Sequence, residues 1–133
     1  MKPHLEVVAG ILWHDGNYLA VQRPEGAPMA GWWEFPGGKV EQDESRDTAL
    51  VREFQEELAL TPTDFTYWQE REHEYEAFVV HIHFYHIHHY SGELTMVENQ
   101  QFQWVDPCQS ASLDFLPADV GIVESLHSHH HES

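Results

Sequence analysis

Three glutamates on one face of one helix constrain this chain more than any other feature. Ala49, Leu50, Phe54 and Leu58 recur at helical spacing, which predicts a helix over Ser45 to Leu58. Ser45 is the predicted N-cap, and Pro62 stands just past the end. At about 100° per residue, Glu53, Glu56 and Glu57 fall within a sector of roughly 100°. The ordinary reading of such residues is a solvated acidic face. Two local costs argue against it here. Like charges three and four apart cost roughly 0.2–0.5 kcal/mol per pair. Negative charge in the last turns opposes the helix macrodipole by roughly 0.3–1 kcal/mol each. A sequence that breaks local rules in this way is usually accommodating function. Clustered carboxylates favour hard divalent cations, above all Mg²⁺, which takes oxygen ligands and keeps waters.

Just upstream lies Pro36-Gly37-Gly38, where the missing Cβ atoms let backbone approach a ligand closely; an ordinary tight turn is the alternative. Leu5 to Trp13 reads as a strand, His14 to Asn17 as a turn and Tyr18 to Gln22 as a second strand. Arg23 to Gly31 reads as a loop. Phe65 to Glu76 reads as a strand and turn, Ala77 to Tyr90 as one long strand, and Gln101 to Val105 as a short one. A last helix is predicted over Asp119 to Leu126. Strands and helices mix without regular alternation, so the expected fold class is α/β, a mixed β-sheet sandwiched between helices.

At 133 residues the chain is expected to hold one domain, over 1–126, with a His-rich tail at 127–133 expected to be disordered. Six Lys and Arg against 23 Asp and Glu give a formal net charge of -17. Such a surface repels the backbone of DNA or RNA, so no polymeric nucleic-acid partner is expected. A small phosphorylated ligand remains compatible, because bound dications neutralise both sides locally. The apolar run from Val7 to Trp13 is too short to span a bilayer, and Lys2 is the only cation near it, so no membrane partner and no signal peptide are expected. Cys108 is the only cysteine, which excludes an intrachain disulfide and a cysteine-rich zinc site. A cytoplasmic location is the expectation.

The stretch from Gly38 to Leu60 resembles the Nudix box, G-x5-E-x7-R-E-U-x-E-E-x-G-U, where U is a bulky aliphatic residue. Gly38, Glu44, Arg52, Glu53, Glu56, Glu57 and Leu60 fill their positions, and Phe54 fills a U position with an aromatic ring. Six polar and glycine matches in fixed register arise by chance in roughly one chain in ten thousand or fewer. One position departs, because Ala59 stands where the box has glycine, at a helix end that favours left-handed geometry. Trp33 to Lys39, Arg23 and Leu116 to Asp119 also resemble the MutT-like branch, which removes oxidised or modified nucleoside triphosphates from the pool in the service of DNA repair; close relatives act on cytidine triphosphates.

The resemblance implies roles. Glu53, Glu56 and Glu57 bind Mg²⁺ (Mn²⁺ being the alternative), with the Gly37 carbonyl helping, and Glu98 reaches the metals from a later loop. Arg52 and Glu44 form an ion pair that orients the helix. Either Glu53 or Glu98 handles the proton of the attacking water. Water attacks the β-phosphorus, and a nucleoside monophosphate and pyrophosphate result. Arg23, Glu34, Lys39 and Asp119 are the candidate substrate contacts. Asp119, read as an ionised acceptor, suits a base edge rich in donors, such as that of guanine, 8-oxoguanine or the N4 amine of cytosine; its alternative reading is an N-cap. The expected partner is a small nucleotide, met by a monomer or weak homodimer. Rival readings are hydrolysis of another nucleoside diphosphate derivative, such as ADP-ribose or NADH, and a non-catalytic base-binding module, which has no need of the intact glutamate set. His81, His83, His86, His88 and His89 alternate along one strand and read as partly exposed strand positions rather than a transition-metal site.

Overall fold

The computed structural model describes residues 2–108 and 113–132, with backbone alone for 129–132. Strand β1 (His4–His14) is the hub. It turns at Asp15-Gly16 into β2 (Asn17–Gln22), and β2 pairs with β3 (Trp33–Glu34) and β7 (Phe102–Val105). On its other part β1 pairs antiparallel with β4 (Gly37–Lys39) and parallel with β6 (Val79–Ser91). The edge strand β5 (Thr61–Glu74) lies antiparallel to β6, so the main path through the sheet is β3-β2-β1-β6-β5. The β1–β6 pairing is the parallel one, which makes the sheet mixed as the sequence predicts.

Each face carries one helix. Helix α1 (Arg46–Leu58) packs Ala49, Leu50, Phe54 and Leu58 onto Val8, Leu12, Leu19, Tyr85 and Ile87. Phe54 sits directly over Gly10, where a Cβ would come 2.5 Å from Ile87 Cδ1 and 2.7 Å from Phe54 Cζ, so glycine sets how close α1 approaches the sheet. Helix α2 (Pro117–Glu132) covers the opposite face through Ala118, Ile122 and Leu126, against Ile11, Tyr18, Phe35 and Phe84.

Three boundaries differ from the sequence reading. β5 begins at Thr61, four residues before Phe65, because an edge strand tolerates Pro62; a bulge follows between Pro62 and Asp64. β6 begins at Val79, because residues 75–78 close a turn through the Tyr75 N–H and Phe78 carbonyl at 2.8 Å. α2 starts at Pro117 and continues beyond Leu126 to Glu132, where a disordered tail is expected from sequence; His127 contributes to the extension by bonding the Pro107 carbonyl through Nδ1 at 2.8 Å.

The ends of α1 match the sequence. Ser45 Oγ accepts from the Thr48 N–H at 3.1 Å. At the other end Ala59 adopts φ 59°, ψ 30°, and the Leu60 N–H reaches back to the Phe54 carbonyl at 3.3 Å. A Cβ in left-handed geometry costs roughly 1–2 kcal/mol. Ala59→Gly is therefore expected to stabilise by roughly 1 kcal/mol and raise the melting temperature by roughly 3–5 °C. A thermal melt that shows a lower midpoint for the glycine variant refutes this.

Candidate active site

The outer face of α1 meets the Gly37-Gly38 strand. A Cβ on Gly38 would collide with the Glu53 carboxylate, so the helix and β4 are as close as glycine allows. Arg52 organises this junction. Its Nε and Nη2 form a fork on Glu44 at 2.7 and 2.9 Å, its Nη1 donates to Glu53 Oε1 at 2.7 Å and Glu56 Oε2 at 3.3 Å, and its Nη2 also reaches the Lys39 carbonyl at 3.0 Å. The guanidinium thus ties the loop, β4 and two of the three helix glutamates together. The hydrogen bonds from Arg52 hold the Glu44 carboxyl down at about 2, so Glu44 stays charged and the fork persists through the neutral range.

Glu57, half-buried, accepts from the Gly37 N–H and lies near Glu53. Burial pushes its carboxyl up to about 8; the negative neighbours Glu34, Glu53 and Glu98 push the same way, and a hydrogen bond from the Gly37 N–H opposes them. Glu53 is raised as well, by burial first, with Arg52 opposing and Glu56 and Glu41 reinforcing. Glu98 arrives from the loop after β6. That loop is pinned to the end of α1, where the Thr95 N–H bonds the Leu58 carbonyl at 2.9 Å and the Val97 N–H bonds the Glu57 carbonyl at 3.2 Å. Glu98 itself is exposed. Glu53 and Glu98 thus lie near Glu57 beside a glycine strand, and Glu56 lies near Glu53, with Arg52 contacting Glu53 and Glu56. The donor set is all oxygen and excess in negative charge, which fits a hard dication such as Mg²⁺.

A second polar group adjoins the first through Glu34, whose charge reaches Glu57. Arg23 Nη1 bonds both Glu34 oxygens at 3.1 and 3.3 Å, and Arg23 Nε bonds the Pro28 carbonyl at 2.6 Å. Burial raises the Glu34 carboxyl and the Arg23 guanidinium opposes the shift. Asp119, 4% exposed, stands in the first turn of α2 and accepts from the Phe35 N–H. Burial pushes Asp119 well above the usual carboxylate range, and the nearby Glu34 charge adds to this; the Phe35 amide and Arg23 oppose it. Tyr75 adjoins this group, its hydroxyl accepting from the Ala118 N–H at 3.2 Å.

The NUDIX domain profile matches residues 7–125. The chain is 40% identical over 122 residues to the CTP pyrophosphohydrolase of Escherichia coli K12, which covers 92% of this chain and 90% of that one. It is 32% identical over 123 residues to the 8-oxo-dGTP diphosphatase of the same organism, covering 92% and 95%. In three dimensions it superposes on the solution structure of the E. coli ORF135 protein with a TM-score of 0.84 and 37% identity, over 97% of this chain and 92% of that one. MutT of Aliivibrio salmonicida and Vibrio cholerae follows, with TM-score 0.81, 30% identity and coverage of 95% and 98%. The chain belongs to the Nudix family. Its fold and its likeness to solved MutT structures place it in the MutT-like branch.

The Nudix-box residues Glu44, Arg52, Glu53, Glu56 and Glu57 come together as a unit, joined by Gly37, Gly38 and Glu98. Glu34 and Asp119 form the adjoining group with Arg23. Two placements correct the sequence reading. Asp119 is not an N-cap, since α2 opens two residues earlier at Pro117 and its carboxyl serves the Phe35 amide instead. It is also not the simple ionised acceptor of that reading, because burial favours its neutral form. Arg23 is engaged by Glu34 and the Pro28 carbonyl, and Lys39 is exposed on β4. Sequence reasoning missed Tyr75 and the Phe35 amide, because neither carries a local signal; both matter only once α2 packs against Phe35 and Tyr75. Among the described residues no helix is long and apolar enough to cross a membrane.

Proposed function

We propose that this Nudix hydrolase cleaves a modified or oxidised nucleoside triphosphate, such as 8-oxo-dGTP or a CTP analogue, into a nucleoside monophosphate and pyrophosphate. The supporting observation is the grouping of Glu53, Glu56, Glu57 and Glu98 beside the Gly37-Gly38 strand, with Glu57 held up at about 8 by burial and by uncompensated negative neighbours. These carboxylates and the Gly37 carbonyl would hold Mg²⁺, which would supply charge neutralisation for the phosphates and a lowered pKa for the attacking water. The chain's own residues position the rest. Arg52 fixes Glu53 and, through Glu44, the approach of the helix to β4. Lys39, exposed on β4, is the candidate phosphate contact, while Arg23 is held by Glu34 and the Pro28 carbonyl. Water adds to the β-phosphorus, the bond to the bridging oxygen breaks, and the monophosphate departs. The working unit is residues 1–126, acting as a monomer or weak homodimer on a free nucleotide.

The base edge is read at Asp119. A neutral carboxyl presents one donor and one acceptor. It matches the N3 acceptor and N4 amine of cytosine, and equally the N1 acceptor and N6 amine of adenine; guanine meets it only through O6 and N1–H, leaving its second donor unmet, and uracil through a carbonyl and N3–H. Between these two, the 40%-identical relative, a CTP pyrophosphohydrolase, supports a cytosine nucleotide. Asn presents the same donor and acceptor, and its oxygen can still serve the Phe35 amide. Asp119→Asn is expected to keep kcat/KM for a cytidine triphosphate within about threefold, whereas Asp119→Ala loses at least ~10-fold, or about 1.4 kcal/mol. A ranking of bases that changes at least ~10-fold in the Asn variant shows that Asp119 works as a carboxylate.

Turnover of a triphosphate panel in Mg²⁺, with pyrophosphate as the readout, tests the reaction. Release of pyrophosphate supports it. Cleavage of ADP-ribose or NADH with no triphosphate turnover assigns the site to a diphosphate derivative. Tight nucleotide binding without any cleavage leaves a binding module. Glu53 and Glu98 are separated by their glutamine variants: the base is the one whose loss removes the acidic limb of the kcat/KM profile while Mg²⁺ affinity holds.

A further inference from the structure

Beyond the N-terminus of α1, three strands assemble a cluster remote in sequence from the Nudix box. His4 on β1, His81 on β6 and Glu72 on β5 each offer one ligand atom, all within 4.8 Å of one another. Strand register builds the group. Glu72 stands opposite His81 across β5 and β6, and Glu6 stands opposite His81 across β1 and β6, so His4 follows on the same face two residues away.

The short contacts within it conflict. His81 Nε2 lies 3.1 Å from His4 Nδ1 and 3.0 Å from Glu72 Oε1. The two rings stack with centroids 5.4 Å apart and planes at 27°. A neutral imidazole nitrogen carries either one N–H or one lone pair. As a donor, Nε2 can aim its proton well at only one of these two partners. As an acceptor, it takes a bond from His4 but sets its lone pair against a carboxylate oxygen. A cation at the centre satisfies all three lone pairs at once. Ligand atoms about 2.0–2.2 Å from such an ion lie about 2.9–3.5 Å from each other in octahedral or tetrahedral geometry; His81 Nε2 already stands at 3.1 and 3.0 Å from the other two, and all three lie within 4.8 Å.

The surroundings are negative. Glu6 and Glu70 flank the group, and Glu74 lies beyond them, bonded to Lys2 at 2.6 Å. His83, the next imidazole along β6, is already held by Glu6 at 2.8 Å and Arg46 at 2.8 Å and so is not available as a ligand.

We propose that His4, Glu72 and His81 bind one borderline transition-metal dication, Zn²⁺ or a near relative, at a surface site separate from the glutamate centre. Two imidazoles and one carboxylate select such ions over Mg²⁺, and solvent completes the coordination. The ion clamps β1, β6 and the edge strand β5 across three elements.

The test is Zn²⁺ binding to the full, EDTA-stripped chain in saturating Mg²⁺, by equilibrium dialysis, with His4→Gln, Glu72→Gln and His81→Gln beside it. The C-terminal histidines remain in all four proteins, so only the difference is read. Each variant is expected to lose one equivalent, or to bind it at least ~10-fold more weakly, the scale reached even by loss of an outer partner. Zn²⁺ is also expected to move the ring ¹⁵N resonances of His4 Nδ1 and His81 Nε2 in the unsubstituted chain, a readout that no folding defect of a variant can affect. Equal stoichiometry and affinity in all four proteins, or unmoved ring nitrogens, overturns the proposal. Failure of pyrophosphate release leaves it standing, since neither readout uses activity.

Discussion

Glu56→Gln is expected to lower kcat in Mg²⁺ by at least ~10²-fold, the scale of losing one catalytic electrostatic contact. The substitution keeps the shape of the side chain and removes its charge. Glu56 is 61% exposed, and its contact to Arg52 at 3.3 Å is a surface ion pair, worth little to stability. Its removal also relieves repulsion from Glu53 on the same face. The melting temperature of the metal-free protein should therefore stay nearly constant while turnover collapses. Steady-state kinetics beside a thermal melt decide it; near-normal turnover in the Gln variant removes Glu56 from the metal site.

Affinity for Mg²⁺ is expected to rise about 10²-fold between pH 6 and pH 8.5. The reason is Glu57, whose carboxyl sits at about 8 in the metal-free protein, chiefly through burial. Below that pH a proton must leave before the oxygen can serve a metal, so apparent affinity gains up to tenfold per pH unit and levels off above about 8. The same shift has a consequence for folding. An acid raised from 4.5 to about 8 binds its proton in the folded state and not in the unfolded one across that window. Its stabilising contribution is complete below about pH 4.5 and is lost as pH rises to about 8. Burial also raises Glu34 and Asp119, so they act in the same direction. Metal-free protein should melt at lower temperature at pH 8 than at pH 6, and saturating Mg²⁺ should restore more at the higher pH. Calorimetric titration in buffers of different ionisation enthalpy checks the linked proton, with up to one released per Mg²⁺ at pH 6.5. No proton release and a flat affinity profile show that Glu57 is already ionised.

Much of the catalytic element was legible because it is local. Periodic apolar residues place the buried stripe of α1, and Ser45 and Ala59 mark its ends through backbone geometry that each residue carries by itself. The same arithmetic puts Glu53, Glu56 and Glu57 on one face, and the resemblance to the Nudix box implies a Glu44–Arg52 pair that proves to be a two-bond fork. The missing Cβ at Gly38 reads from sequence as room for a ligand, whereas in the structure the Glu53 carboxylate occupies that approach.

The tertiary structure decided what depends on neighbours distant in sequence. His4 meets His81 and Glu72 because β1 pairs parallel to β6, a register set by the cores on both faces and not by any pattern near His4. Arg23 closes on Glu34 through the β2–β3 pairing, which takes up a guanidinium that sequence alone assigns to phosphate. Above all, the protonation of Glu57 and Asp119 is a property of desolvation. Desolvation sums over every group that excludes water from a site, so residue type and spacing name the carboxylates, while the packed structure decides which of them burial pushes up.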